Sequence, residues 1–451
     1  MAGAPALSLA MLAGAVAATA PLSDQDMRAA TDRLLVEVGA VRRLPSRGTL
    51  ERRLETRAEA RARREAERAA AAADPEQAAR VRLWERLGLL PTATDGARLG
   101  GAALDAGPVA SYDPLGRRLF VPDWIPLAEQ RPALAHALAH ALADQRFGIR
   151  DLLAIDLEGR HHLDGDAERA RAALIEGDAA VAALELDDPA GALTSGHALP
   201  AFATSIARAP GASNVPAWLR ESASFAHADG MAFVARVRAR QTWSAVDAIW
   251  ADPPQSSEQI LHPEKYAAHE RPVSLPAQKL RALGGAWREA ASDVLGELGA
   301  RCWLAAAVPS NIAERAAAGW GGDRAVLYVA TAAPAPDAAA PPPPFAVWST
   351  AWDDVTDAED FARAAAAALA ALGAAAAPGE DPHRVVVRGA AGVFALVWRG
   401  LAVDLLVGAP ESALAALDEL AARAPPKPPP RRAPAAPAAP RPVRRGKGGV
   451  L

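Results

Sequence analysis

The chain has 451 residues, and 51% of them are hydrophobic, so it is long enough to bury the cores of two or three domains. Its net charge is −4, yet seven Lys or Arg and no acid lie from residue 425 onward, and subtracting them leaves −11 on the rest of the chain. That acidic balance argues against nucleic acid as a partner. The single cysteine, Cys302, excludes intramolecular disulfides and cysteine-rich zinc sites.

The two ends of the chain differ in composition from the rest. Residues 1–20 are apolar, and Ala15-Val16-Ala17 fits the cleavage site of a signal peptide, although the basic residues that usually begin one are absent. We therefore expect export to the periplasm or beyond, with an alanine-rich helix of a cytoplasmic protein as the alternative. No other run is long and apolar enough to span a bilayer. The tail, 425–451, is rich in Pro, Ala and Arg and is predicted to be disordered.

Residues 21–90 are predicted to form an N-terminal helical region. Helices are expected at 23–43, at 49–73 with Thr49 as the N-cap, and at 75–88. The second helix mixes Arg with Glu, which favours a solvated helix with ion pairs over a nucleic-acid surface. A β-hairpin is then predicted at 107–123, because two β-prone runs flank the turn sequence Asp113-Pro114-Leu115-Gly116.

The central feature of the sequence is a predicted helix at 131–148, with Pro132 in its first turn and Gly148 as its C-cap. His136 and His140 lie four residues apart, so both imidazoles point from one face of that helix. In the H-E-x-x-H motif this spacing holds zinc, and the residue after the first histidine is the general base. Here that residue is Ala137, so the ligand positions are present and the base is missing.

A second predicted helix, 166–186, carries the candidate third ligand, Glu176. Its flanking faces are apolar, and a buried carboxylate is costly unless it is paired or bound to metal; the alternative is a partly exposed Glu with an Arg partner. Two histidines and one glutamate leave zinc a fourth position for water.

Gly177 costs roughly 1 kcal/mol against alanine in mid-helix, which is tolerated where another helix approaches closely. Asp144, one turn after His140, is predicted to orient that imidazole, with a surface position as the alternative.

Four segments in this order resemble a family of bacterial zincin-type, gluzincin-like metallopeptidases: ALAHALAHALADQRFGI, AERARAALIEGDA, the stretch from FAHADG to LHPEKY, and AAAGWGGDRAVLYV. The resemblance covers about residues 80–355 and implies that His136, His140 and Glu176 occupy the metal-ligand positions. In that family the helix reads roughly H-E-x-x-H-A-L-x-D-Q, so Ala137 replaces the catalytic glutamate. Arg146 replaces a usual histidine, and His227 replaces a usual aromatic residue.

The resemblance carries two further expectations. An edge strand runs past the metal cleft in zincins, and the predicted hairpin is a candidate for it, with an ordinary covering hairpin as the alternative. By analogy with gluzincins, His262 or Tyr266 would donate a hydrogen bond to the oxyanion of a tetrahedral intermediate. The alternative for these two residues, and the one we favour, is a packed structural turn that follows the helical stretch 217–250.

The predicted fold class is α+β, mainly α. It comprises a zincin-like helical domain with a small β component at 91–290 and an α+β domain at 291–424. Strands of the second domain are expected near 325–331, 345–350, 384–388, 393–398 and 401–407, and its helices at 354–372 and 410–423.

Three functional hypotheses follow from these patterns. The first is a degenerate zinc metallopeptidase that binds zinc and is inactive or very weakly active, because a general base contributes about 10²- to 10⁴-fold. The second is a metal-free scaffold that binds a peptide or protein in the cleft. The third is an active hydrolase whose base lies elsewhere in the chain. The sequence gives no indication of the oligomeric state.

Overall fold

The computed structural model describes residues 21–92, 110–156, 160–187, 215–277, 279–331, 342–372 and 381–423. The predicted signal peptide and tail lie outside these ranges. The described part confirms the predicted α+β, mainly α, fold. None of its helices is long and apolar enough to cross a bilayer.

Among the residues described before the hairpin, three helices and one strand are found: α1 (Asp24–Arg42), β1 (Glu51–Glu55), α2 (Arg57–Ala73) and α3 (Pro75–Leu87). The single helix predicted at 49–73 is wrong, because β1 pairs in parallel with the hairpin and this pairing overrides the helix propensity of its charged residues. Helix α2 therefore begins after Thr56, not Thr49. The Thr56 side chain accepts a hydrogen bond from the Glu59 N–H while Glu59 binds back to Thr56, which forms a capping box.

The hairpin is present as predicted in its described part, with β2 (Ser111–Asp113) antiparallel to β3 (Arg118–Pro122). The Asp113 carboxylate accepts hydrogen bonds from the N–H groups of Leu115 and Gly116 and so closes the turn. The three-stranded sheet has the order β1-β3-β2, which leaves β2 at one edge.

The helical core is arranged around one long helix, α6. The segments that form this core are α4 (Leu127–Phe147), α5 (Ile149–Leu152), α6 (Gly165–Asp187), α7 (Ala217–Ser224), a π-helical turn (Phe225–Asp229), α8 (Gly230–Arg238), α9 (Trp243–Ala251), α10 (Ser257–Leu261) and α11 (Pro263–Ala267). Helix α6 packs against α1, α4 and α8. Helix α4 begins earlier than predicted, at Leu127, so Pro132 lies inside it, whereas Gly148 caps its C-terminus with φ 78° as expected.

The C-terminal domain is built on a six-stranded antiparallel sheet with the order β4-β5-β6-β9-β8-β7. Its elements are a 3₁₀ turn (Arg281–Ala286), β4 (Trp287–Asp293), α12 (Gly296–Ala305), α13 (Ser310–Ala317), β5 (Trp320–Ala330), β6 (Phe345–Trp352), α14 (Val355–Leu372), β7 (Arg384–Gly389), β8 (Gly392–Arg399), β9 (Ala402–Ala409), a second 3₁₀ turn (Glu411–Ala413) and α15 (Leu414–Ala421). Apolar side chains on both faces of the sheet are buried, under α14 on one face and α15 on the other.

Two predicted domain boundaries need correction. The boundary at residue 290 falls inside β4, which pairs with β5 and therefore belongs to the C-terminal sheet. The region 21–90 is not a separate domain, because α1 packs on α4 and α6 whereas α3 packs against the C-terminal sheet. The Trp84 indole N–H on α3 donates to the Asp293 carboxylate at 3.2 Å. One hydrophobic cluster runs through both parts of the chain.

Candidate metal centre

Three side chains that the sequence selected as metal ligands converge in the structure. The Nε2 atoms of His136 and His140 are 2.9 Å apart. Glu176 on α6 reaches both, with Oε2 at 3.1 Å from His136 Nε2 and Oε1 at 3.3 Å from His140 Nε2. All three residues are buried. Two helices, α4 and α6, therefore bring two imidazoles and one carboxylate to a single point.

These distances fit a small cation bound in tetrahedral geometry. Zinc binds nitrogen and oxygen ligands at about 2.0–2.1 Å, so neighbouring ligand atoms of a tetrahedral site lie about 3.3 Å apart. The separations of 2.9–3.3 Å in this cluster are close to that value. The three atoms lie within 4.8 Å of one another and form a candidate metal-ligand set. His, His and Glu are ligands that zinc accepts.

The surroundings favour the protonation states that metal binding requires. Burial and the neighbouring His140 lower the pKa of His136, although Glu176 acts in the opposite direction. Burial alone would raise the pKa of Glu176, but the two histidines outweigh it and hold that pKa well below its usual range. A neutral imidazole and a charged carboxylate are the ligand forms that a divalent metal binds.

The close approach predicted from Gly177 is present. A Cβ atom added to Gly177 would lie 2.1 Å from the carbonyl oxygen of Gly230 on α8, and a Cβ added to Gly230 would lie 2.1 Å from the carbonyl oxygen of Ala173. Helices α6 and α8 thus touch through two glycines, next to Glu176. This contact holds α6 against α8 at the residue next to Glu176.

A buried ion pair fixes the same segment of α6 from the other side. The Arg42 guanidinium, at the end of α1, donates to both carboxylate oxygens of Asp178 at 2.6 and 2.7 Å. The Trp250 indole N–H donates to Asp178 at 2.7 Å, and Arg42 also lies over the Trp243 ring. The aspartate of the E-G-D-A motif therefore anchors the helix, while its glutamate belongs to the metal cluster.

His227 is a site residue that sequence reasoning missed. It lies in the π-helical turn between α7 and α8, is buried, and places Nδ1 3.4 Å from Glu176 Oε2. Its ring centroid is 6.5 Å from that of His136. Burial lowers the pKa of His227 to about 4. Single π turns recur at functional sites. The signal available in the sequence was His227 itself, noted only as a departure from the family pattern.

Asp144 does not contact His140 in the way predicted. It is buried, and it accepts hydrogen bonds from the Tyr112 hydroxyl at 2.7 Å and from the Ile149 N–H at 2.8 Å. The turn that ends α4 brings Ile149 back onto this carboxylate, and β2 supplies the tyrosine. Asp144 therefore connects the edge strand and the end of the histidine helix. The alternative of a surface position is wrong as well.

The two predicted oxyanion donors lie outside the cluster and bind elsewhere. His262 Nε2 is 2.9 Å from Glu297 Oε1, and the Tyr266 hydroxyl donates to the Asp252 carbonyl oxygen at 2.8 Å. Neither residue lines the cavity next to His140 and Glu176. Both side chains instead join α10, α11 and neighbouring helices, as the alternative of a packed turn predicted.

A cavity of about 460 Å³ opens beside the metal cluster. His140 and Glu176 line one end of it, together with Ala137, the residue at the position of the general base. The edge strand β2 and the turn that follows it line part of the cavity. Helix α2 forms a further wall, where the Arg63 guanidinium lies over the Phe120 ring of β3.

Comparison with known proteins adds information on the C-terminal domain only. Residues 281–419 match the model of a domain of unknown function, DUF8575. No curated protein and no solved structure matches the chain. The match begins at the 3₁₀ turn before β4, which agrees with the corrected start of the C-terminal domain, and it covers less than a third of the chain, outside the metal cluster.

Proposed function

We propose that this chain is a zinc-binding protein of the zincin-metallopeptidase type that has lost peptidase activity. The observation that carries the proposal is the convergence of His136, His140 and Glu176 next to a cavity whose wall at the base position is Ala137. A bound zinc ion would polarise a carbonyl group and acidify water there. The methyl group of Ala137 can neither accept nor donate the proton that hydrolysis must move.

The other carboxylates around the cavity are already engaged, which disfavours a relocated base. Glu67 pairs with Arg63 on α2 at 3.1 Å, and Glu168 pairs with His161 at 2.9 Å. The carboxylate of Asp113 closes the hairpin turn. Among the described residues that line the cavity, Glu176 is the carboxylate that belongs to the metal cluster. These contacts favour an inactive protein over an active hydrolase.

Restoring the missing base tests the proposal. We expect Ala137→Glu to gain cleavage of a general peptidase substrate such as casein by about 10²- to 10⁴-fold over the unchanged protein. Ala137→Gln has nearly the same size without a base, so it should gain nothing. Equal cleavage by all three proteins, abolished by His136→Ala, would show an active hydrolase with another base.

The metal-free scaffold remains the second candidate. Both candidates use the same cavity, and they differ in whether His136, His140 and Glu176 bind a metal. The buried carboxylate of Glu176 favours the zinc-binding protein, because its described contacts are with histidines and not with Lys or Arg. Metal content therefore separates the two candidates.

A further inference from the structure

The cavity beside the metal cluster has a size and polarity that suit one class of small ligand. Its volume of about 460 Å³ lies inside the roughly 300–1,000 Å³ range of small-molecule sites. Apolar and aromatic side chains supply much of the wall besides the cluster, among them Tyr112, Leu115, Phe120, Ile149, Leu153 and Ile175. The inference below rests on the proposed zinc site at one end of this cavity.

Most of the wall offers few backbone hydrogen bonds to a ligand. Helices α2, α4 and α6 form much of the cavity, and the backbone N–H and C=O groups inside a helix are already bonded within it, so the edge strand β2 is the part of the wall with which a peptide could pair. An extended peptide would leave the amide groups that face the helical walls without partners, and each such group costs about 1–3 kcal/mol. A ligand with an unbroken apolar body avoids that cost.

Ala137, in place of a glutamate, changes which ligand head group can bind next to the metal cluster. A glutamate at this position would place a second carboxylate on the cavity wall that Glu176 also lines, and its negative charge would repel an incoming anion. The alanine removes that charge and leaves a methyl group next to the ligand cluster. Zinc with three protein ligands keeps one open position, which a carboxylate oxygen can occupy. Loss of the base therefore converts a hydrolytic site into one that tolerates an anionic head group.

We propose that the cavity binds a small apolar carboxylate, with the carboxylate on the zinc and the hydrocarbon body along the apolar wall. Charge complementarity defines the head group, since the metal is positive and the charged side chains farther along the cavity are paired within the protein: Arg63 with Glu55 and Glu67, and Glu168 with His161. The apolar wall defines the body. Recognition therefore requires both parts in one molecule.

Octanoate, 1-octanol and acetate separate these two requirements, measured by isothermal titration calorimetry on the full chain after its zinc content has been established. We expect octanoate to bind the zinc-loaded protein about 3,000-fold more tightly than acetate, because six additional methylene groups are buried. Octanol should bind at least tenfold more weakly than octanoate. Removal of zinc should reduce octanoate binding to the level of octanol.

Variants at two walls provide the controls. Ala137→Glu should retain zinc and lose octanoate affinity about tenfold or more through charge repulsion. Ala66→Phe and Ala70→Phe fill the cavity from α2, a helix that carries none of the three ligands, and the second variant serves in case the first fails to fold. Both should retain zinc and lose octanoate binding.

The outcomes are distinguishable. Zinc binding without octanoate binding would overturn this inference and leave the proposed function intact, whereas absence of zinc would overturn both. Equal binding of octanoate and octanol would show a general apolar pocket and contradict the assignment of the head group. Tighter binding of a capped apolar tetrapeptide than of octanoate would overturn the proposal in favour of a peptide groove.

Discussion

Two groups of potential metal ligands lie in the described part of the chain, and their charges are balanced differently. His136, His140 and Glu176 are buried between α4 and α6. The second group, Glu258, Glu270 and Asp353, lies where α10 and α11 meet the C-terminal domain. The two groups differ in whether a lysine or arginine of the protein already lies among the candidate ligand atoms.

In the second group the protein supplies the cation itself. The Lys265 ammonium lies 2.5 Å from Glu258 Oε1 and from Asp353 Oδ2, and 3.5 Å from Glu270 Oε1. Burial would lower the pKa of Lys265, but Glu258 and Asp353 outweigh it and raise that pKa. Proximity of ligand atoms therefore does not identify a metal site. The donor types, and whether Lys or Arg already lies among them, distinguish the two groups.

The largest effect is expected from removing the lysine. Lys265→Met keeps the length of the side chain and leaves three carboxylates without their cation, so the free energy of unfolding should fall by about 3–5 kcal/mol. Urea denaturation measures this change, and zinc content should stay the same. Lys279→Met removes an exposed lysine and should change stability little. Similar losses in both variants would show that Lys265 does not balance the second group.

Gly177→Ala should disturb the first group through packing alone. The added methyl group meets the Gly230 carbonyl oxygen at 2.1 Å, so α6 and α8 must separate, at a cost of about 3 kcal/mol. Because Glu176 moves with α6, zinc affinity should fall too. The matched control is Gly285→Ala, where an added Cβ meets no atom within 4 Å. Unchanged zinc affinity in a destabilised Gly177→Ala protein would contradict this link.

The buried carboxylate at the start of α6 should make stability depend on pH. Burial raises the pKa of Asp166 to about 7, above the roughly 3.9 of an unfolded chain. The native state then binds more protons than the unfolded state between about pH 4 and pH 7, so stability falls as pH rises through that window. We expect a loss of about 2 kcal/mol between pH 5 and pH 7.

Asp166→Asn should reduce the fall in stability between pH 5 and pH 7 by about 2 kcal/mol, while Asp229 and Asp404, whose pKa burial raises to about 6, should keep the rest of it. Chemical denaturation at pH 5, 6 and 7 checks the prediction, and Asp24→Asn at the exposed start of α1 serves as the control that keeps the whole fall. A slope of the same size in Asp166→Asn would assign the pH dependence to another group.

The smallest effect is expected at His227. Its Nδ1 atom lies 3.4 Å from Glu176 Oε2. In the neutral tautomer that carries its proton on Nδ1, the imidazole would hold that carboxylate in its metal-binding orientation. Loss of a residue that orients a ligand weakens metal binding by about tenfold or more. His227→Phe should show this loss in zinc competition with a chromogenic chelator, and His227→Asn should restore part of it. Equal affinities in all three proteins would leave His227 with a packing role only.

Local patterns in the sequence predicted the parts of the molecule that depend on neighbouring residues. The spacing of His136 and His140 fixed their common face, and the cost of Gly177 in a helix predicted the contact with α8. The turn residues placed the hairpin, and the strands predicted near 345–350, 384–388, 393–398 and 401–407 coincide with β6, β7, β8 and β9. These features follow from helix and strand periodicity and from turn chemistry.

The features that were missed depend on partners far away in the chain. Residues 51–55 read as helix, yet they pair with β3, and the strand at 287–293, which pairs with β5, has no counterpart among the predicted strands. The S/T-x-x-E signal at Thr56 would have indicated the true helix start. The π turn that directs His227 toward Glu176 is a local change in backbone hydrogen bonding that residue periodicity does not reveal.

Zinc stoichiometry is the measurement that tests the central claim most directly. Elemental mass spectrometry on the purified full chain should give about one zinc per chain. The control with His136→Ala and His140→Ala combined should give none, because two of the three ligands are gone. Absence of zinc from the unchanged protein, even after incubation with the metal, would contradict the account. The protein would then be a scaffold that binds a peptide or protein in its cleft without metal.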